Sequence, residues 1–322
     1  AVPLAIFLLV AAVTVLSVFA IERGERVRES ADLSRQADAM VSAIERRAYS
    51  SSSFLRAGAA LFGSQQNVTS DVFRQFVSEL RLDADYRGAE GIGWAPAITD
   101  SQLPAVEAQL SSGRIGPMQV RPTLDQDPRS QLVPILFLQP DTLRNRRALG
   151  FDMYSEATRR AAMDEATRTV RPTASGRVNL VQDTGPDEFG FIIYMPVFDG
   201  SGSQRSLKGF VYSPFNASQF LSSASELIAS PEAALRFYDV SGGKPLMMVE
   251  TENWSDDGHT VERDVDLANR HMVLVVQSKR DMALSPLSLI TLLFGLAVAS
   301  LLLVVARLLT QHAQEDSRSL EW

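Results

Sequence analysis

The chain has 322 residues, a formal net charge of −7 and no cysteine. The acidic balance argues against nucleic acid as a partner, and the missing cysteines exclude a disulfide framework or a cysteine-held metal. At the N-terminus, residues 1–21 (AVPLAIFLLVAAVTVLSVFAI) carry no charge, and a run of about 20 apolar residues is what a bilayer-spanning helix needs. A cleaved signal peptide would have an apolar core of roughly 7–15 residues followed by a small-residue cleavage site. This run is longer and no clear site follows it.

Residues 22–62 turn polar but keep a helical period. Leu33, Ala37, Met40, Ile44, Ala48, Ser51, Leu55 and Ala59 recur at spacings of four or three, the seam of one long helix. Such a seam serves either a dimer contact or packing against the chain's own body, and the spacing leaves both open. SDVFRQFVSELRL reads as a helix with Asp71 favouring its start. GAEGIGWAPAI is a glycine-rich entry into a short strand, and its GIG lacks the third glycine of a dinucleotide fingerprint. SQLPAVEAQLSSG reads as a helix ended by Gly113. VPILFLQP is an apolar strand. The 155–170 segment is a helix, with Ser155 as its cap and Pro172 beyond its end. VNLVQD, FGFIIYMPVFDG and GFVYSPF follow as strands, then a helix opened by Asn216. AALRFYDVS, KPLMMVE and HMVLVVQSK form a smaller second set of strands joined by turns.

The second charge-free run covers residues 283–306 and reads as another span, extending to 309. Arg307 and Arg318 follow it, while Arg23 and Arg26 follow the first, so the positive-inside count gives no clear orientation. By architecture the middle of the chain lies outside the cytoplasm, in a bacterial inner membrane. Residues 310–322 read as the start of a cytoplasmic signalling helix.

No catalytic motif stands out. The three histidines are scattered, and there is no HExxH, GxSxG or P-loop. The acids Asp83, Asp85, Asp183, Asp187 and Glu188 read as solvated loop residues, with no calcium-loop spacing. No metal or cofactor is expected. NVT at 67–69 and NAS at 216–218 match the glycosylation triplet, which is common by chance, and Asn216 already serves as a cap.

YRGAEGIGWAPAI, RNRRALGFDMYSEATRRAAMDEA and the pair ASGRVNLVQD and FGFIIYMPVFDG, in that order between two spans, resemble a CHASE domain. This is an extracellular sensor set between two membrane helices in receptor kinases and cyclases. The resemblance implies an α+β fold: a long stalk helix and two tandem PAS-like domains, the membrane-distal one over 63–228 and the membrane-proximal one over 229–282. It implies a homodimer and a small-molecule ligand. Plant members hold an adenine-type ligand through an aspartate in the segment matching GFDM and a backbone group beyond the next helix. Carried over, these are Asp152 and Ala174. The chain departs from the plant pattern around GRVNLVQD and TGPDEF, which leaves the ligand open.

Pocket walls are expected from Trp94, Leu136, Leu138, Phe191, Ile193 and Met195, or, on the other strand face, Ile192 and Tyr194. Asp152 has a second reading, as a turn cap before the helix or a partner of Arg147 or Arg160. Arg144, Arg146, Arg147, Arg159 and Arg160 allow a small anion as an alternative ligand. The expected function is extracytoplasmic sensing that signals to an output domain beyond residue 322. A histidine kinase is the first choice, with a diguanylate or adenylate cyclase, or a partner-binding module without a ligand, as alternatives.

Overall fold

The computed structural model describes residues 2–80, 88–112, 117–125, 127, 130–182, 189–200, 205–226, 233–278 and 284–319. Contacts divide the chain into two compact units, residues 36–278 and residues 1–35 with 279–322.

The second of these holds the start of α1 (Val2–Ser64) and the helix α7 (Pro286–Ser319). Both contain a window long and apolar enough to cross a membrane, with mean hydropathies of 2.9 and 2.8. Their large side chains point outward, among them Leu9, Phe19, Leu293 and Phe294, leaving an extended apolar surface of the kind that marks an interaction face. Small residues meet between them: Thr14, Ser288 and Ala299 are buried. A Cβ on Gly295 would meet the Thr14 side chain, so the two backbones approach as transmembrane helices do. The Glu22 carboxylate accepts from the Ser285 N–H at 2.9 Å.

In the larger unit the remainder of α1 continues without a break, since no proline interrupts it after Pro3. Its seam residues Ala37, Met40, Ile44, Ala48, Ser51 and Leu55 are all buried. The seam therefore packs on the chain's own body. Arg47 donates to the Ser223 carbonyl at 2.7 Å, Arg263 to Asp38 at 2.6 Å, and Lys208 to the Phe62 carbonyl at 3.1 Å.

Two antiparallel sheets follow. The first orders its strands β2-β1-β5-β4-β3, with β1 Ile92–Pro96, β2 Phe137–Gln139, β3 Thr173–Ala174, β4 Gly190–Asp199 and β5 Ser206–Asn216. The second is β7-β6-β9-β8, with β6 Ala234–Asp239, β7 Leu246–Glu250, β8 His259–Asp266 and β9 His271–Ser278. The α+β arrangement expected from the sequence, a long first helix with two sheets, is what the chain adopts.

The pairing register sorts the two faces of the first sheet. Trp94 sits opposite Val211, and Phe191 opposite Phe215. This face meets α1, α2 (Ser70–Glu79) and α6 (Ala217–Ser225). Phe62 of α1 lies edge-on to Trp94 at 5.6 Å, and Phe191 stacks on Phe215 at 5.0 Å. Gly93 and Tyr194 each sit opposite Tyr212 on the other face, which α5 (Ala157–Thr169) covers. The remaining helices, α3 (Leu103–Ser111) and α4 (Leu143–Arg146), lie in the long connection between β1 and α5.

Several local expectations change. The cap of α5 is Glu156, not Ser155: its carboxylate accepts from the N–H groups of Thr158 and Arg159 at 2.9 and 3.0 Å, a charged acceptor suited to a helix start. Only Phe137–Gln139 of VPILFLQP becomes strand, because Pro134 and Pro140 have no N–H to pair. VNLVQD contributes one bridge, Val178 to Gly190. Asn216 caps α6 as expected, accepting from the Gln219 N–H at 3.1 Å. Gly113 and the loop acids Asp83, Asp85, Asp183, Asp187 and Glu188 lie outside the described residues.

Candidate functional site

The α5 side of the first sheet holds a small internal cavity. The sheet contributes Ile192, Tyr212 and Pro214, and the segment leading into and through β2 contributes Ile135 and Leu138. Phe151 and Met153 come from the turn before α5, Arg159 from the helix itself, and Leu180, Val181 and Gln182 from the chain after β3. Room for water-sized molecules is ≈ 10 Å³, on the order of a single water.

Three buried polar side chains stand in this apolar wall. Arg159 is 4% exposed. Its Nη2 donates to the Asn179 carbonyl at 2.7 Å, and its guanidinium lies 5.0 Å from the centre of the Phe151 ring. Among the described residues its Nε has no hydrogen-bond partner, and neither do the Gln182 Nε2 and the Tyr212 hydroxyl. Among the described residues no carboxylate forms an ion pair with Arg159. Burial pushes the Tyr212 hydroxyl pKa well above its ordinary value, and the neighbouring Tyr194 adds to this while Arg159 opposes it. Tyr194 is pushed up too, again chiefly by burial, and its hydroxyl donates to the Met153 sulfur at 3.6 Å.

Local sequence explains the placement. On α5 the buried positions are Arg159, Ala162, Met163 and Ala166, an i, i+3, i+4, i+7 stripe whose first member is an arginine among apolar residues. Tyr212 needs its cross-strand neighbour to be glycine. A Cβ on Gly93 would come within 2.2 Å of the Tyr212 ring, so the tyrosine lies flat across β1.

Asp152 is fully buried, and it is a structural knot beside the cavity rather than part of its wall. Its Oδ1 accepts from the Val133 N–H at 2.7 Å and from the Tyr154 N–H at 3.0 Å. It caps the 3-10 turn Met153–Ser155, and its own N–H donates to the Arg121 carbonyl at 2.7 Å. Arg160 donates to the Tyr154 carbonyl at 2.8 Å. The Ala174 N–H is taken by the Ala268 carbonyl at 2.8 Å. Trp94 and Phe191 lie on the opposite face of the sheet, among the aromatics of α1 and α6. Leu136 is buried beside β1, its N–H donating to the Trp94 carbonyl at 3.0 Å. Leu138 lines the cavity, and Tyr194 shares its sheet face. Sequence reasoning missed Gln182 and Tyr212 and named Arg159 only within a group. The signals were the arginine in the buried stripe of α5 and the glycine paired with Tyr212.

Residues 66–248 match the CHASE domain family, and the chain belongs to that family. A comparison with curated proteins gives no match. Among solved structures, the chain is similar to an extracellular ligand binding receptor from Desulfohalobium retbaense, at 11% identity and a TM-score of 0.46 over 77% of this chain and 39% of that one. It therefore spans well under half of that protein's length. It is also similar to the ligand binding domain of the Pseudomonas aeruginosa amino acid chemoreceptor PctC, at 12% identity and a TM-score of 0.43 over 77% of this chain and 98% of that one. A third is a methyl-accepting chemotaxis protein X, at 13% identity and a TM-score of 0.46 over 79% and 100%.

Proposed function

We propose that this CHASE chain is the sensing and membrane part of a two-pass receptor, anchored by residues 1–21 and 283–309, with residues 36–278 outside the cytoplasm. A small molecule entering the cavity between α5 and the first sheet biases the receptor between two states, to the extent that it binds one of them better. The single observation that carries this reading is the cavity's three buried side chains with polar atoms that lack partners among the described residues. Buried polar groups are normally satisfied, and unsatisfied ones at a cavity are groups a ligand can complete.

The route outward runs through β3, which follows α5 and is hydrogen-bonded to the turn between β8 and β9. β9 in turn precedes α7 in the chain. The receiving domain is a histidine kinase in the first instance, a nucleotide cyclase as the alternative, and the receptor works as a homodimer.

The test uses the full chain in detergent micelles, with thermal unfolding followed across a panel of amino acids, organic acids, purines and sugars. The expected result is one chemical class that raises the melting temperature in a saturable way and loses that effect when Gln182→Leu is introduced. A panel in which nothing shifts the transition overturns the sensing reading.

A further inference from the structure

We infer that the cavity takes a short aliphatic monocarboxylate, held by Arg159 with Gln182 and Tyr212 as further donors; this rests on the sensing reading above and names its ligand. Arg159 is 4% exposed, its guanidinium has no carboxylate partner among the described residues, and the side-chain hydrogen bond it makes goes to a neutral carbonyl. A buried lysine or glutamate can escape by neutralising, but arginine keeps its proton in proteins. A charge held in an apolar wall without a counter-ion is strongly unfavourable unless an anion joins it.

The other two orphaned atoms point the same way. Arginine Nε and glutamine Nε2 can only donate, and the tyrosine hydroxyl can donate as well as accept. The complement is therefore rich in acceptors and carries negative charge. A carboxylate offers two oxygens in one plane and matches the guanidinium fork. An ammonium ligand would face the arginine charge directly. An adenine ring would bring donors of its own to a donor-lined site.

Size and lining narrow the class further. The opening for water-sized molecules is ≈ 10 Å³, so the smallest carboxylates need the least rearrangement. The rest of the wall is aliphatic or aromatic, including Leu138, Leu180 and Ile192. A methyl or ethyl tail is at home there, and a phosphate or sugar is not.

The experiment is calorimetric titration and thermal unfolding of the full chain in detergent with sodium formate, acetate and propionate. Acetamide, sodium chloride and adenine serve as controls. Acetate-class ligands are expected to bind saturably while the controls do not. Arg159→Gln is expected to weaken acetate by about 100-fold or more, as for loss of one partner of a buried charged pair. Tyr212→Phe is expected to weaken acetate about tenfold while leaving the ligand-free melting temperature equal or higher, since it removes an unpaired buried hydroxyl. A residue serving only the fold would not split affinity from stability in this direction. If Arg159→Gln does not fold, Tyr212→Phe decides, and unchanged acetate affinity overturns the inference. Equal stabilisation by chloride, or carboxylate binding indifferent to Arg159, also overturns it. Binding of adenine or another neutral compound in place of any carboxylate overturns it while leaving the sensing reading intact. Silence from every compound, in this set and in the wider panel, removes both.

Discussion

The backbone N–H of Ala174 donates to the carbonyl of Ala268 at 2.8 Å, and this bond joins the two sheets. Ala174 lies on β3, the edge strand that follows α5, and Ala268 lies in the turn between β8 and β9. The Asn269 side chain reinforces the junction by donating to the Thr173 hydroxyl at 3.3 Å, and Arg177 donates to the Met247 carbonyl at 2.9 Å. A group that the family resemblance offers to a ligand is thus used here to tie the first sheet to its neighbour. A shift of α5 that moved β3 would reach the second sheet through these bonds.

The same junction contains a buried ion pair. Arg270 reaches both oxygens of Asp239, at 3.0 and 2.7 Å, and Asp239 is 2% exposed. Removing one partner leaves the other charge in the interior, which costs about 3–5 kcal/mol in fully buried pairs. The Arg270 side chain keeps 22% of its exposure, so Arg270→Ala is expected at the lower end of that range. Replacing both residues, as Asp239→Leu with Arg270→Met, should recover much of the loss. Chemical denaturation of the full chain in detergent measures both, and a double variant less stable than Arg270→Ala would contradict the pairing argument.

Asp152 separates a structural role from a ligand-contacting one. Asp152→Ala strips the acceptor from the buried N–H of Val133 and the half-buried N–H of Tyr154, at about 1–3 kcal/mol for a buried group left unsatisfied. Asp152→Asn keeps a carbonyl oxygen in place and should lose much less. Unfolding midpoints should therefore fall in the order wild type, Asn, Ala, while the Asn variant keeps its response to whichever ligand binds. An Asn variant with native stability and no ligand response would instead return Asp152 to the cavity as an anchor.

Tyr154 gives the chain's stability an alkaline dependence. Burial, followed by the hydrogen bond its hydroxyl donates to Asp164 at 2.7 Å, pushes its pKa up to about 12. The unfolded chain releases this proton near the ordinary value of about 10. The folded pKa is the higher one, so the contribution is complete below about pH 10 and disappears as pH rises through about 12. Tyr154→Phe should lose stability at neutral pH and show a shallower fall across that alkaline window. Denaturant unfolding at a series of pH values checks the difference between the two proteins. Parallel curves would mean that the hydroxyl titrates alike in both states.

Much of the architecture could be read from residue spacing alone. The seam from Ala37 to Leu55 follows a single helical period, and the apolar ends of the chain show themselves by length and absence of charge. The alternation along FGFIIYMPVFDG likewise separated Phe191 and Ile193 from Ile192 and Tyr194. The choice of face was not legible, because it depends on which helices cover which side, and that follows from long-range topology rather than strand sequence. The two caps show the opposite limit. Asn216 has one short polar side chain at the right position, whereas Ser155 and Glu156 compete for one helix start, and the charged, longer Glu156 reaches two N–H groups at once. Arg159 was hidden among five arginines. Its distinction, a position in the same stripe as Ala162, Met163 and Ala166, appears only once that stripe is known to be the buried one.

Gly93 supplies the sharpest test of how the cavity is built. It sits opposite Tyr212 across the β1–β5 ladder, and a Cβ there would come within 2.2 Å of Cζ and 2.4 Å of the hydroxyl. Neither the strand backbone nor the fully buried tyrosine has space to give, so Gly93→Ala forces the ring out of place. Overpacking of this kind costs about 1–3 kcal/mol. The displaced ring would also disturb the wall formed with Arg159 and Ile192. The single variant should therefore lose both stability and ligand response. Combining Gly93→Ala with Tyr212→Leu removes the collision, and the pair should be more stable than the sum of the single effects predicts, because the two residues touch. Thermal unfolding of the four proteins in the cycle measures that coupling. Strict additivity would show that Tyr212 does not rest on Gly93.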